Sequence, residues 1–213
     1  MSSIATKLNV WWLHRRANTA LIFKRSQQAI EVYREMAAVD PGNEYALLMI
    51  GNLLADAGDH AKAVDVLERL TQLNPNHADA WFNLGFLHDK TDQLADAERC
   101  FRKAVELRPS LDRAWYGLGL VLIREGRLDE AVDALKQNIK LQPFSPYGYY
   151  QLGMTYHHLG RREDAWKVHE QLAGFEPKFS ATLKRDLEQT PSRSVSVASS
   201  NSQPKEDITA QAT

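Results

Sequence analysis

Small and large apolar residues return along this chain at a fixed interval of 34 positions. From residue 44 onward the sequence divides into four units, in which the fourth position is always large and apolar and the seventh is Leu or Ile. The eighth position is glycine, the twentieth alanine and the thirty-second proline in every unit. The four units are 44–77, 78–111, 112–145 and 146–179. Repeated columns of this kind indicate an array of similar structural units.

The spacing inside each unit predicts two helices that pack on each other. Positions 4, 7 and 11 share one face of a first helix, and positions 20, 24 and 27 share one face of a second. Glycine at position 8 and alanine at position 20 allow the two helices to approach closely. Position 15 holds Gly58, Gly126 and Gly160, which suit a left-handed turn, and Asp92 in the remaining unit tolerates the same turn. The prolines at position 32 cannot continue a helix, so we expect them to end the second one.

These columns resemble the tetratricopeptide repeat, whose period is 34 and whose signature is W-x2-L-G-x2-Y, then A-x3-F, then P. The resemblance covers residues 44–179. It implies an all-α, right-handed α-solenoid of four complete 34-residue hairpins, in which each hairpin contacts only its neighbours.

A fifth, degenerate unit over residues 10–43 matches this family only in its second half. Arg16 and Ala17 stand where Leu and Gly belong in its first half. A one-residue insertion, which would bring Trp12 to position 4, is the alternative alignment. The first helix of this unit is therefore not predicted to be a standard one.

The two ends of the chain differ from the repeats. Phe179, Leu183 and Leu187 lie at i, i+4 and i+8, which predicts a short capping helix at the C-terminal end of the solenoid. Beyond it the composition becomes rich in Ser with few large apolar residues, which is typical of a disordered segment. The predicted domains are a basic N-terminal segment with the degenerate repeat (1–43), four repeats (44–179), a capping helix (180–190) and a disordered tail (191–213).

In this family the first helices of successive units line a concave groove, and positions 2, 5, 6, 9, 12 and 13 face into it. The resemblance implies a groove lined by Asn52, Phe82, Asn83, Phe86, Arg113, Tyr116, Leu120, Tyr147, Tyr150 and Met154. None of these side chains is expected to be needed for packing within a hairpin. An apolar, aromatic groove favours binding of a peptide or helix from another protein. The alternative is that some of these residues pack on neighbouring first helices or on the chain's own tail.

Some members of the family bind the C-terminal carboxylate of chaperones through a five-residue clamp. The matching positions here hold Asn52, Asn83 and Arg113, but Leu48 and Gly117 stand where two basic residues belong. Too little positive charge is left to hold a carboxylate tightly, so we do not expect chaperone-tail binding.

The first thirty residues are basic, with five cations and no acidic residue. Trp11 and Trp12 lie among these cations, which suggests an alternative function as an assembly protein or peripheral membrane scaffold. The cations do not separate from the apolar residues on a helical wheel, so we favour a first hairpin whose Trp residues cap the solenoid. Five carboxylates against two cations give the unit 44–77 a net charge of −3. Pairing within the chain and head-to-tail self-association are both consistent with that asymmetry.

The overall composition excludes several classes of protein. The 213 residues are 44% apolar and 25% charged with a net charge of −1, so no bias toward nucleic acid is present. A single cysteine, Cys100, allows no intrachain disulfide. No apolar run approaches the roughly 20 residues that span a bilayer, and the N-terminus lacks a secretory leader pattern. We therefore expect a cytoplasmic protein.

The sequence contains no complete catalytic or metal-binding motif. The segment HEQLA at 169–173 begins like a zinc-protease helix, but Ala173 stands where the second His is required. His157 and His158 are adjacent, so on a helix they point about 100° apart and cannot share a metal. Cys100 precedes Phe101 in a predicted second helix and is interpreted as a packing residue. We expect no metal, no cofactor and no enzymatic activity.

Overall fold

The computed structural model describes residues 4–189, which form eleven α-helices and no strand over that range. The predicted tail, 191–213, lies outside the described residues. The helices are α1 (Ile4–Ile22), α2 (Ser26–Val39), α3 (Glu44–Asp56), α4 (His60–Leu73), α5 (Ala78–Lys90), α6 (Leu94–Leu107), α7 (Asp112–Arg124), α8 (Leu128–Leu141), α9 (Pro146–His158), α10 (Arg162–Ala173) and α11 (Pro177–Gln189). Consecutive helices pair as antiparallel hairpins, from α1 with α2 to α9 with α10. The chain is therefore an all-α solenoid of helical hairpins.

The turns inside the hairpins have the backbone conformation that the sequence predicts. Gly58, Gly126 and Gly160 have φ angles of 80°, 78° and 73°. Asp92, at the same place in the second unit, has a φ of 63°. A residue with a Cβ is strained in this region, which explains why glycine recurs there and why an acidic residue is the exception. The predicted left-handed turns are confirmed.

The glycine at position 8 sets the distance between the two helices of a hairpin. A Cβ added at Gly51 would lie 2.7 Å from the Leu67 side chain, and one at Gly119 would lie 2.9 Å from Leu135. Real Cβ atoms do not approach neighbours so closely, so the packing excludes any larger residue. In the last unit Gly153 faces a different helix, because its Cβ would lie 2.8 Å from Leu183 of α11.

The aromatic residue at position 4 and the proline at position 32 act together across the repeats. The indole Nε1–H of Trp81 donates to the Pro75 carbonyl at 2.8 Å, and that of Trp115 donates to Pro109 at 2.9 Å. The Tyr149 hydroxyl makes the same bond to the equivalent proline carbonyl at 3.1 Å. Each bond ties the loop at the end of one unit to the first helix of the next.

The first helices form the inner row of the solenoid. Contacts join α3 to α5, α5 to α7, α7 to α9 and α9 to α11, whereas no second helix contacts the next second helix within residues 4–189. In a curved stack, the helices that lie closest together are on the inner side. The first helices therefore line the concave surface, and α11 takes the next place in their row.

On the outer surface, ion pairs link α6 to the start of α8. Arg102 donates to Glu98 and to Glu130 at 2.8 Å in both cases. Arg127 donates to Glu98 at 2.6 Å and to Glu130 at 2.7 Å. Hydrogen bonds from Arg127 and Arg102 lower the pKa of Glu130 to about 2. Glu130 and Arg102 are exposed to solvent, whereas the Glu98 side chain is 17% exposed, so the network adds only modestly to stability and is sensitive to salt.

The degenerate first unit keeps the same register as the others. Leu13, Ala17 and Ala20, at positions 4, 8 and 11, are the buried residues of α1. Lys24 stands at position 15 and has a φ of 54°, like the turn residues of the later units. The alternative alignment with a one-residue insertion is wrong, because Leu13 and not Trp12 occupies position 4.

The expectation that the two tryptophans cap the solenoid is also wrong. Trp11 is 57% exposed and Trp12 is 53% exposed. Arg16, which stands at an apolar position of the repeat, pairs with Glu35 of α2 at 2.8 Å. The first hairpin is closed by small residues on the buried side of α1, and the large aromatic residues are left on its other side.

The last proline of the repeat has a different role from the other three. Pro75, Pro109 and Pro143 each follow the end of a second helix by two residues. Pro177 instead begins α11, where the missing N–H of proline costs nothing, and α10 ends earlier, at Ala173. The capping helix thus starts three residues before the predicted residue 180.

Candidate partner-binding groove

The ten residues predicted to line the groove lie on α3, α5, α7 and α9 of the inner row. Arg113 and Tyr147 are exposed, and Phe82 is buried. The remaining seven are half-buried: Asn52, Asn83, Phe86, Tyr116, Leu120, Tyr150 and Met154. The side chains thus differ in how much of their surface a partner could reach.

Two asparagines join the first two inner helices. The Asn83 side-chain amide donates to the Asn52 carbonyl oxygen at 2.7 Å, across the interface between α3 and α5. Each side chain keeps hydrogen-bonding capacity beyond this bond, because an amide offers two donors and an acceptor. This end of the groove is polar.

Phe82 does not line the groove as an open surface. Its side chain is 8% exposed, and its ring centroid lies 6.0 Å from that of Phe101 in α6. The Arg113 guanidinium covers the Phe82 ring at 4.9 Å from its centroid. The expectation that no groove residue is needed for hairpin packing is wrong here, because the aromatic ring fills the space between α5 and α6.

The middle of the groove is apolar with cations at its edge. The Lys90 ammonium lies 5.2 Å from the centroid of the half-buried Phe86 ring. Leu120 on α7 and Met154 on α9 occupy the same repeat position as Phe86, one helix further along each time. Tyr116 lies beside them, and burial raises the pKa of its phenol. These four half-buried side chains are the apolar residues at this level of the inner surface.

Two tyrosines of the groove hold the last helix in place. The Tyr150 hydroxyl donates to the Asp186 carboxylate of α11 at 2.7 Å. Burial and this hydrogen bond raise the pKa of Tyr150 to about 12. The Tyr147 ring packs edge-on against Phe179, with 5.3 Å between the centroids. Packing on a neighbouring helix, the alternative interpretation given above, describes both residues.

Sequence reasoning missed one residue at the other end of the groove. Tyr45, at position 2 of the first complete unit, is 45% exposed. Its ring lies 5.1 Å from that of His14 in α1, beside an open cleft of about 360 Å³ that Lys7 and Trp11 also line. The rule for groove positions applied to 44–77 would have found it, because position 2 was already assigned to the groove.

The cysteine and the potential metal ligands of the described residues are not arranged as a reactive group. Burial raises the pKa of the Cys100 thiol to about 12, so the thiolate needed for nucleophilic attack is not formed near neutral pH. Within residues 4–189, no three His, Cys, Asp or Glu side chains are grouped as metal ligands. None of the helices in that range is long and apolar enough to cross a bilayer.

A family sequence model covers nearly the whole chain. The model described as the C-terminal domain of cilia and flagella-associated protein 70, a tetratricopeptide-repeat domain, matches residues 3–188. No curated protein sequence matches the chain significantly.

Solved structures with the same architecture include MamA and YrrB. A crystal structure of MamA has a TM-score of 0.73 and 25% identity, covering 81% of this chain and 94% of MamA. MamA from Desulfovibrio magneticus RS-1 has a TM-score of 0.69 and 23% identity, covering 84% and 96%. YrrB, described as a TPR protein with an unusual peptide-binding site, has a TM-score of 0.69 and 23% identity, covering 79% and 88%. The two matches at 23% identity show the shared fold alone.

Proposed function

The chain belongs to the family of the cilia and flagella-associated protein 70 C-terminal domain, and from this we propose a non-enzymatic module that binds a segment of a partner protein. Tetratricopeptide repeats form protein-interaction scaffolds, which sets the class of function. The site that we propose is the concave groove. The observation that carries it is a run of partly exposed apolar side chains on three consecutive inner helices: Phe86, Tyr116, Leu120 and Met154.

The geometry of this run sets the length of the bound segment. Phe86, Leu120 and Met154 recur once per unit, and packed helices lie about 8–10 Å apart. With Asn52 at the same repeat position on α3, the four rows extend over roughly 25–30 Å. A partner helix of about 18–20 residues covers that length, and an extended strand does so with about eight or nine.

The partner's chemistry follows from the order of side chains along the groove. The Asn52–Asn83 end is polar and offers amide donors and acceptors, whereas the middle requires apolar side chains. A bound helix would present apolar residues at i, i+3 or i+4, and i+7. The peptide-binding site in the description of YrrB belongs to that protein, and it supports this proposal only through the common fold.

A pull-down from cell lysate, read by mass spectrometry and repeated with the purified partner, tests the groove. The variant Leu120→Ser/Met154→Ser removes two apolar contacts without touching the bonds that hold α11. A matched control, Val39→Ser/Leu73→Ser, changes two exposed apolar residues at the ends of second helices. We expect at least a tenfold loss of affinity for the groove variant and little change for the control. Equal binding by the groove variant and wild type would rule out the groove as the site.

The alternative function, an assembly or membrane scaffold placed by the basic N-terminus, uses a different surface. Deletion of residues 1–26 would remove salt-sensitive sedimentation with anionic liposomes if this alternative were correct. The exposure of Trp11 and Trp12 supports this alternative function. The groove variant would then sediment like wild type. Comparing the deletion variant with the groove variant therefore distinguishes the two functions.

A further inference from the structure

The first hairpin leaves uncovered a surface that every later hairpin buries. At position 3 of the complete units, Ala46, Ala80, Ala114 and Gly148 are all buried. Position 10 is likewise buried in those units. In the first unit the same two positions hold Trp12 and Thr19, and both are exposed. No described residue covers this side of α1.

In the inner units this surface receives a helix. A Cβ on Gly148, at position 3, would lie 3.0 Å from Ile139 of α8, the second helix of the preceding unit. A Cβ on Gly117, at position 6, would lie 2.6 Å from Phe101 of α6, again the preceding second helix. Positions 3, 6 and 10 of a first helix thus form a seat for a helix that comes before it. On α1 these positions hold Trp12, Arg15 and Thr19.

The helix α1 has apolar side chains on two opposite sides. Its buried side packs on α2 through small residues and Leu13. Its other side exposes a row of side chains along the helix, in which the apolar Ile4, Leu8, Trp11 and Ile22 are interrupted by Arg15. Apolar residues on opposite sides of a helix contribute to its amphipathicity in opposite directions, so their contributions cancel. This explains why the apolar residues and the cations of α1 do not separate on a helical wheel. The poor segregation is therefore not evidence that the exposed face lacks a partner.

Aromatic rings and unpaired cations alternate on this face. The Arg15 guanidinium lies 5.2 Å from the centroid of Trp11, and that of Arg25 lies 5.7 Å from Phe23. Neither arginine has an ion-pair partner within residues 4–189. A groove of about 350 Å³ runs between these residues and the start of α2. We call this surface the end face and define it by Trp11, Trp12, Arg15, Thr19, Phe23 and Arg25.

We propose that the end face binds an acidic amphipathic helix of a partner protein. Its seat corresponds to the place of a helix in every inner unit, and its aromatic residues supply the anchors that dominate helix interfaces. The unpaired Arg15 and Arg25 favour carboxylates on the partner, because each can form a charge-assisted hydrogen bond with one. From Ile4 to Ile22 the row runs over about 27 Å at 1.5 Å per residue, so the partner helix has about 18 residues.

Two other occupants fit this surface less well. A membrane-lying helix places its cations at the edges of the apolar face, but Arg15 stands in the middle of the row between Trp11 and Ile22. The last helix of a second copy, α11, carries three cations and two carboxylates, so it does not complement a face without any carboxylate.

Selection from a displayed library of 18-residue helical peptides on the full chain tests the proposal. Selected peptides should carry Asp or Glu beside apolar residues at i, i+3 or i+4, and i+7. In fluorescence anisotropy, Trp12→Ala/Arg15→Glu should weaken a selected peptide about thirtyfold, as loss of a tryptophan anchor does. Both residues are exposed, so the variant should fold like wild type, which circular dichroism checks. Phe23→Ala/Arg25→Glu is a second, independent variant of the same face.

The matched control is Phe144→Ala/Lys140→Glu, which removes another exposed ring, 79% exposed against 53% for Trp12, and reverses a cation at the end of α8. It should bind selected peptides like wild type. The proposal is overturned if no peptide is selected, or if every selected peptide depends on Leu120 and Met154 instead. It is also overturned if the full chain sediments with phosphatidylserine vesicles through the end face and binds no acidic peptide. That last result would assign the end face to a membrane surface.

Discussion

A single methyl group at Gly117 should destabilise the junction between the second and third complete repeats. The Cβ of an alanine there would lie 2.6 Å from Cζ of Phe101 and 2.9 Å from both Cε atoms. The Phe101 ring is 2% exposed and is also confined by Gly85 of α5, because a Cβ on Gly85 would lie 3.0 Å from the ring. The ring therefore cannot retreat, and the strain has to be taken up by movement of α7 relative to α6.

The expected magnitude is the difference between two opposing contributions. Overpacking of a dense core costs about 1–3 kcal/mol. Alanine is about 1 kcal/mol better than glycine in a helix interior, which offsets part of that cost. Because the added Cβ would approach Phe101 to 2.6 Å, we take an overpacking cost of about 2–3 kcal/mol, and for Gly117→Ala we expect a net loss of roughly 1–2 kcal/mol in the free energy of unfolding. Since 1 kcal/mol shifts Tm by roughly 2–4 °C in a chain of this size, the loss is measurable.

A double-mutant cycle with Phe101→Leu separates the clash from other effects. Urea unfolding followed by circular dichroism gives the free energy of each variant, with the m value as a check on two-state behaviour. In the Phe101→Leu background, Gly117→Ala should be neutral or stabilising, because the ring that it meets is gone. The control Gly58→Ala has nothing within 4 Å but a φ of 80°, so its cost should be the same in both backgrounds. An unchanged cost of Gly117→Ala in the Phe101→Leu background would refute the reasoning.

Three further predictions concern the turn, the last helix and the outer ion pairs. Lys24→Gly should raise the free energy of unfolding by about 1 kcal/mol, because Lys24 has a φ of 54°, and a lower Tm would contradict this. Tyr150→Phe should lower it by about 1 kcal/mol in urea unfolding, because it removes the hydrogen bond to Asp186; Asp186→Asn, which can still accept that bond, should cost less. The pKa of Glu130 is depressed to about 2, so its stabilising effect is present above the ordinary Glu pKa near 4.3 and is lost as pH falls toward 2. Thermal melts of wild type and Glu130→Gln should therefore differ at pH 7 in low salt and converge near pH 2.

Local geometry explains why the repeat could be read from the sequence. The glycine at position 8 permits a close approach of two helices, and the residues at position 15 adopt a positive φ. Both requirements are set by residues close by in the chain. Gly51 faces Leu67 only sixteen residues away, and Gly58 lies at a turn where only the backbone matters. Such requirements recur from unit to unit and therefore appear as columns, although in the last unit Gly153 faces Leu183 of α11 instead.

The groove was harder to predict, because its residues meet neighbours that the repeat pattern does not specify. Phe82 follows the groove rule, yet Phe101 and Arg113 cover it. Tyr150 follows the same rule, yet it is bonded to Asp186 in a helix outside the repeats. In each case the partner comes from another helix, and its identity differs from unit to unit.

By itself the sequence determined the helical hairpins, their length and register, the left-handed turns and the kind of fold, because these depend on spacing within one unit. Only the tertiary structure decided which side chains remain accessible. It showed that Trp81 and Trp115 bond to the proline carbonyls of the preceding unit, which joins two columns that the sequence presents separately. It also showed that α1 buries its small residues and exposes Trp11 and Trp12. Exposure depends on what the neighbouring hairpin covers, and at the end of a solenoid one neighbour is replaced by an open surface.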